Sequence, residues 1–515
     1  MVQTVADTKT VPDLPAAAPD DLPTGLQRWL ISLCAIGGTW IYGFIWNAVG
    51  VALPQMKGSF AATNDQITWV MIAFVVGSAI MTASIGFVSA RLGRKTTFLF
   101  ALVSFTASLI GCGFSTTLEG EVFWRFMQGF GGAPLLALSQ VIMVNAYPPE
   151  RYQQATSIWA IGFVTGNLLA PVLGGALVEH YGWPWIYFAN VPISLLILFL
   201  AWHVVPDTPR QEKTLDWLGF LTLILGVAFL QLFLARGERL DWFDSKEVQV
   251  EAIISVVLLY MFVAHTLTAK RPFLDRGLFR DRNFMLGQLF IFLVGAVIYL
   301  PLLLLPLMLQ QVAGYPAIET GNLLFARGIG SVIGLIAMSR LRGRADPRPL
   351  IFFGITMTII PAWNMAHWSA DIQPLSVMLN NAVQGVGTSF IWAPLNTLCL
   401  SKLDKRLQDQ GFSLFYLNYD IGNAIGTSVI ITLHARHSQI NHAQLAENIN
   451  PFNGTVQSGS FPQSWSPDTL GGLAKLNDEI SRQAAMIAYN NSFMLIALSI
   501  GLLIPLILLF RVKKE

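Results

Sequence analysis

The stretch Gln128-Gly129-Phe130-Gly131 returns as Gln384-Gly385-Val386-Gly387, an offset of 256 residues, and Gly166-Asn167 returns as Gly422-Asn423 at the same offset. One such pair arises by chance in any apolar chain, but a shared offset points to two related halves. Each stretch lies inside a long apolar segment, and spanning a bilayer takes about 20 such residues. Segments of that kind occupy 28–53, 68–90, 96–114, 118–146, 153–180 and 183–205, then 215–235 and 248–269, then 284–312, 319–341, 348–367, 373–401, 408–435 and 486–511. The pattern predicts an all-α integral membrane protein of fourteen helices: two six-helix bundles and an inserted pair. The domains follow as a polar, disordered tail over 1–27, a bundle over 28–205, the pair within 206–275 and a second bundle over 276–515. Transporters built from repeats place their substrate between the halves.

Composition agrees. Of 515 residues 54% are hydrophobic and 12% charged, against roughly 25% charged in soluble domains. That balance excludes a soluble enzyme. A net charge of +2 provides no field to hold nucleic acid. Cys34, Cys112 and Cys399 lie in separate apolar stretches, so neither a disulfide nor a metal site is expected. His434, His437 and His442 read as solvated loop histidines. Without a GxxxxGK[ST] stretch the chain has no means of hydrolysing ATP, so the expected energy source is a proton gradient and no cofactor.

Basic residues flank spanning helices on the cytoplasmic side. With fourteen spans, one set of loops carries 23 Lys and Arg and the other 7, while Arg125 and Arg327 fall inside helices. Both termini are therefore expected to be cytoplasmic.

The motifs in order resemble the major facilitator superfamily, and within it the fourteen-helix drug:proton antiporters of EmrB/QacA type. After the second helix comes Gly86-Phe87-Val88-Ser89-Ala90-Arg91-Leu92-Gly93-Arg94-Lys95, similar to the family's cytoplasmic gating motif. Arg125-Phe126-Met127-Gln128-Gly129 resembles the motif whose arginine the family is thought to use in proton coupling. The run from Gly166 through Pro171 to Gly174 and Gly175 is similar to the antiporter motif. A tight helix crossing without a mechanistic part accounts for those glycines equally well. Trp183-Pro184-Trp185-Ile186-Tyr187-Phe188-Ala189-Asn190-Val191-Pro192 and Leu278-Phe279-Arg280-Asp281-Arg282-Asn283-Phe284 resemble this particular family. The resemblance implies a bacterial inner-membrane exporter that works by alternating access. Uptake of an organic anion and a transport-dead receptor or scaffold are the alternatives.

Several charges depart from the family pattern. Ile45 stands where the resemblance leads one to expect an aspartate before Ala52-Leu53-Pro54, Ala90 where the gating motif has its acid, and Asn491 where helix 14 usually starts with one. The acid at membrane depth is Asp420, on a helix face with Tyr416, Tyr419 and Asn423. Asp420, Arg125 and Glu121 are the candidates for proton coupling. Trp40, Phe44 and Asn47 on the first helix, Gln128 and Arg327 join the α-helical face of Tyr416, Tyr419 and Asn423 as candidate cavity residues. Two arginines and many aromatics suit a small lipophilic or amphipathic substrate, neutral or anionic. The hydrophilic stretch 436–485 is expected to be an outer loop, which the resemblance associates with a periplasmic adaptor protein and an outer-membrane channel.

Cysteine placed at Ser458 is expected to react with an impermeant thiol reagent added from outside intact cells, and cysteine at Ala345 is not. The reverse pattern would overturn the orientation.

Overall fold

The computed structural model describes residues 25–208, 216–270, 272–341, 346–400, 407–447 and 469–510, together with 23, 210, 403, 449 and 465. The tail before residue 23, Ala345 and Ser458 lie outside them. Among the described residues there is no strand, and fourteen long helices run in sequence. The first half comprises α1 (Gly25–Ser59), α2 (Asn64–Leu92), α3 (Arg94–Gly113), α4 (Leu118–Asn145), α5 (Tyr152–Tyr181) and α6 (Trp185–Val204). The inserted pair is α7 (Trp217–Arg236) and α8 (Lys246–Thr268). The second half comprises α9 (Arg282–Gln311), α10 (Ala317–Leu341), α11 (Pro347–Met365), α12 (Pro374–Leu400), α13 (Gln408–Glu447) and α14 (Leu470–Ile507). Eleven are long and apolar enough to cross a membrane; α11, α12 and α13 fall below that hydropathy. Proline interrupts three of the others, α6 near Pro192, α9 beside Pro301 and α14 beside Pro505, because it removes a backbone donor and starts a new helical turn readily.

The two halves repeat the same packing. Helix α1 lies along α5 and α9 along α13; α2 lies along α4 and α10 along α12. In lipid, apolar side chains gain little by leaving one hydrocarbon for another, so close backbone approach drives association. A Cβ on Gly129 would sit 2.0 Å from the Phe74 carbonyl oxygen, and one on Gly385 would sit 2.0 Å from that of Arg327. Likewise Gly166 meets the Trp40 carbonyl and Gly422 that of Phe292. The sequence repeat is thus a repeat of helix crossings. Between the halves, α2 meets α13 and α5 meets α10, two seams related by the same repeat. The inserted pair packs across the first seam: α7 touches both α2 and α13, and Leu223, Val227 and Phe262 form a small core with Ala79, Ala83 and Leu417.

The outer loop expected over 436–485 is corrected at both ends. Helix α13 continues to Glu447 and α14 begins at Leu470, so 436–447 and 470–485 are helical. The 40 residues of α13 span about 60 Å, twice the roughly 30 Å hydrocarbon core. The reason is visible in the sequence: no Gly or Pro falls between Thr427 and Asn450, and Thr469 caps the Gly472 N–H. The projecting ends support each other, with Asn441 donating to the Ala484 carbonyl at 3.4 Å and His442 paired with Asn477 at 3.2 Å.

Alanine at Gly129 or Gly385 forces a backbone contact apart and is expected to destabilise the protein by about 1–3 kcal/mol or more. Alanine at Gly175, whose added Cβ meets only Val51 at 3.9 Å, serves as the neutral control. Thermal midpoints in one detergent check the difference.

Candidate functional site between the halves

The turn from α2 to α3 carries Arg91, Arg94 and Lys95 and marks the basic end of the bundle. Gly93 makes that turn with φ of 90°, a conformation that favours glycine. Its N–H donates to the Ser89 carbonyl, and the next residue's N–H donates to the Thr208 hydroxyl at 2.9 Å. The Arg94 side chain thereby points at α13 of the other half, where its Nε lies 2.9 Å from Asp409 Oδ1 and 3.1 Å from Oδ2. Ser89 donates to the same carboxylate at 2.9 Å. The two charged side chains retain 17% and 12% exposure, so the pair is partly desolvated. Asp409 supplies the charge contact that Ala90 cannot. Gly86 faces the Gln410 backbone closely enough that a Cβ would lie 2.8 Å from its Cα. Arg91 is exposed and Lys95 half-exposed.

Deeper between the halves the seam is knitted by hydroxyls. Ser413 donates to the Thr82 carbonyl, and Tyr416 donates to Gln140 of α4. Trp159 of α5 donates to Ser139 at 2.7 Å and stands edge-on to Tyr416. The basic end is therefore closed by polar contacts that can be exchanged for water, whereas the crossings inside each half bring glycines to backbone contact.

Within the first half Arg125 is fully buried. Its Nε donates to the Val70 carbonyl at 3.2 Å, Nη1 donates to Gln128 at 2.5 Å, and the guanidinium lies 4.4 Å from the centre of the Phe74 ring. Among the described residues Arg125 forms no ion pair with Glu121, one turn earlier on the same helix. Glu121 turns to α6 instead and accepts a 2.7 Å hydrogen bond from Tyr187, leaving Oε2 without a partner. Arg125 is held as a cation by a ring face and neutral acceptors, an arrangement that tolerates burial without an opposing charge.

The second half inverts this geometry. Gln384, the repeat mate of Gln128, again accepts from a guanidinium, but Arg327 of α10 provides it at 3.1 Å, and its Nη2 reaches the Ile298 carbonyl at 3.4 Å. Arg327 is half-exposed and, among the described residues, has no carboxylate partner. Tyr299 and Tyr419 lie beside it. On α13, Tyr419, Asp420 and Asn423 are half-exposed, while Tyr416 is buried in its bond to Gln140. Asp420 has no hydrogen-bond or ion-pair partner among the described residues. Trp392 of α12 completes the wall, 5.0 Å from Tyr419 between ring centres.

Of the residues expected to line the site, the structure brings Arg327, Tyr416, Tyr419, Asp420 and Asn423 together around one face of α13. Gln128 and Arg125 sit behind it in the first half. Trp40 stacks on Phe44 at 5.2 Å, but Phe44 is buried in the apolar core, and Asn47 is engaged by Asn167. Ile45 is fully buried, so the first helix offers no polar group at that position. Gly166 makes a close crossing with α1; a Cβ on Gly174 would lie 3.2 Å from the Ala48 Cβ, and exposed Pro171 leaves α5 unbroken. Sequence reasoning missed Asp409, Gln384, Trp392 and Gln140. The 256-residue repeat already marks Gln384; the other three carry no local signal. A separate cavity of about 470 Å³ opens on the flank between α11 and α12, lined by Trp363, Asn364, His367 and Asn380. It lies away from the seams and from Asp420.

Removing one partner of the Arg94–Asp409 contact is expected to weaken the closed end by about 1–3 kcal/mol. With Cys34, Cys112 and Cys399 replaced, a cysteine at buried Thr156 reports this opening. Its labelling from the basic end should quicken about tenfold in Asp409→Asn. It should slow again in the exchanged pair Arg94→Asp with Asp409→Arg.

Residues 35–427 match the Major Facilitator Superfamily. The chain is 30% identical to the multidrug export protein EmrB of Escherichia coli strain K12 across 84% of this chain and 85% of that protein. It is 32% identical to EmrB of Haemophilus influenzae across 88% and 90% of the two chains, and 30% identical to the fatty acid resistance protein FarB of Neisseria gonorrhoeae across 90% and 92%. Among solved structures, the proton:xylose symporter XylE shares the fold with a TM-score of 0.57 at 15% identity, covering 92% of this chain and 94% of that one. The human organic anion transporter MFSD10 does so with a TM-score of 0.59 at 13% identity, covering 93% and 100%. With its doubled six-helix packing, its inserted pair and these relatives, the chain is a multi-pass membrane transporter that belongs to the Major Facilitator Superfamily, in its fourteen-helix EmrB/QacA type.

Proposed function

We propose that the protein is a proton-coupled exporter of lipophilic or amphipathic compounds across the bacterial inner membrane, with its basic end in the cytoplasm. The observation that carries this reading is Asp420, an acid at mid-helix between the halves with no partner among the described residues. A carboxylate placed there responds to whichever side the cavity faces. It takes up a proton when the surroundings are dry and releases one when water reaches it. The Arg94–Asp409 contact supports a conformation closed toward the cytoplasm, and rocking of the halves around the glycine crossings provides the other. Relatives named for multidrug export and for fatty acid resistance favour export and a substrate with a large apolar body. The projecting ends of α13 and α14 provide a surface for a periplasmic adaptor leading to an outer-membrane channel.

Asp420→Asn retains the shape of the site and cannot ionise. In liposomes with an imposed pH gradient it is expected to lose uphill transport at least tenfold while binding substrate at near wild-type affinity. Near wild-type pumping by Asp420→Asn removes Asp420 from the coupling role, and Glu121 and Arg125 become the pair to replace.

A further inference from the structure

The unpaired guanidinium of the second half has a use that the closed seam does not explain. Gly385 lets α10 and α12 approach until the Arg327 carbonyl lies where a Cβ would be, and this fixes the Arg327 side chain against Gln384 of the same crossing. Gln384 is buried, so its acceptor orients the guanidinium rather than a water molecule. Two donors are engaged, one at 3.1 Å and one at 3.4 Å, and the remaining N–H groups have no protein partner among the described residues. Among the described residues no carboxylate pairs with this cation: Asp420, on α13, forms no ion pair with it, and Glu319 lies two turns away on an exposed part of α10.

A guanidinium half-exposed between apolar helices, with donors unused and no counter-ion, is incomplete as a structural element. Arg125 shows what a complete one looks like: it is fully buried, its donors meet a carbonyl, an amide and a thioether, and an aromatic ring covers its face. The repeat makes the contrast sharper. Gly129 crosses at Phe74 and Gly385 crosses at Arg327, so the second half carries a cation at the position where the first half carries the covering ring. Beside it stand Tyr299 and Tyr419, and Trp392 packs edge-on to Tyr419. A planar fork of donors matches a carboxylate, and the aromatic wall matches an apolar body next to it.

We propose that Arg327, positioned by Gln384, binds the carboxylate head of a lipophilic acid between the halves, and that Tyr419 and Trp392 flank its apolar body. This rests on the export reading and narrows its substrate class from amphiphiles in general to lipophilic anions. Arg327 determines specificity, and Gln384 is a positioning residue.

The test compares dodecanoate with its methyl ester, which has the same body and no charge, binding to purified full-length protein in nanodiscs at a pH where the acid is ionised. Wild type should bind dodecanoate more tightly than the ester. Arg327→Gln should lose about 10- to 100-fold in dodecanoate affinity while ester binding stays within about twofold. Arg327→Lys, which retains charge without the fork, should fall between them, and Gln384→Leu should weaken dodecanoate alone. Unchanged ester binding and thermal midpoint show that the variants are folded. An equal dodecanoate-to-ester ratio in wild type and Arg327→Gln overturns the proposal, as does wild type that binds the ester better or binds neither. Proton-driven transport of a neutral lipophilic dye by wild type, measured in the same preparation, separates these failures from failure of the export reading itself.

Discussion

Lipid tails solvate a leucine about as well as another helix does, so a bundle of this kind depends on how closely its backbones can come. Gly129 and Gly385, with Gly166 and Gly422, bring helix pairs to carbonyl contact in each half, and every polar feature of the site is hung from those crossings. Arg125 can reach the Val70 carbonyl because α2 and α4 touch at Gly129. Arg327 can reach Gln384 because α10 and α12 touch at Gly385. A rigid half with its charge fixed in place is also what rocking requires, since a motion shared between soft halves would dissipate in side-chain rearrangement before it moved the seam.

The contacts between halves are of another kind. Beside apolar contacts such as Leu417 on Ala79 and Ala83, they include hydrogen bonds and one ion pair, made by Ser89, Arg94, Asp409, Ser413, Gln140 and Tyr416. Each group can turn to water when the seam parts, so opening exchanges one set of hydrogen bonds for another and costs far less than separating an apolar face. The ion pair is made on one seam. Its repeat mate on α5 is Gln153, a buried amide whose Nε2 has no partner, so the symmetry of the fold is not carried into the charges.

Much of this was legible in the sequence. Segment lengths, the offset of 256 and the family motifs yield fourteen helices in two halves with a pair between them. The polar face of α13 was also legible, because Tyr419, Asp420 and Asn423 recur at helical spacing. Contacts that join residues hundreds of positions apart were not. Asp409 reads as an ordinary acid at a helix start, and nothing near it says that Ser89 and Arg94 meet it across the seam. Phe44 shows another limit: its spacing with Trp40 places it on one face of α1, its side chain is buried in the apolar core, and hydropathy does not distinguish a helix neighbour from a cavity. The extension of α13 to Glu447 was masked by polarity, since a helix that leaves the membrane looks like a loop unless the absence of Gly and Pro is weighed.

The inserted pair makes the two seams mechanically different. At the end away from the clasp, Arg236 lies over Trp69 and Arg239 donates to Thr68 of α2, while Trp242 donates to Thr432 and Ser428 of α13 donates to the Leu234 carbonyl. Arg236 is itself fixed by Glu247 and Glu251. At the basic end, Asp216 accepts from His265 and from the Phe273 N–H, and Gln410, next to Asp409, accepts from the Asp275 N–H at 3.4 Å. The pair is therefore attached to both halves at both ends of the α2/α13 seam. These attachments cannot all persist when α2 and α13 part, so the pair must travel with one half and release the other. The attachments to α13 are hydrogen bonds and one leucine of the apolar core, Leu417, whereas those to α2 are a cation over an indole face and two members of that core, Ala79 and Ala83, packed with Leu223 and Val227. Desolvated apolar and cation–π contacts are costlier to break than exchangeable hydrogen bonds. On that ordering, in the rocking motion proposed for export the inserted pair would stay with the first half, and α13, carrying Asp409 at one end of the seam and Asp420 further along the same helix, would be the element that slides against it.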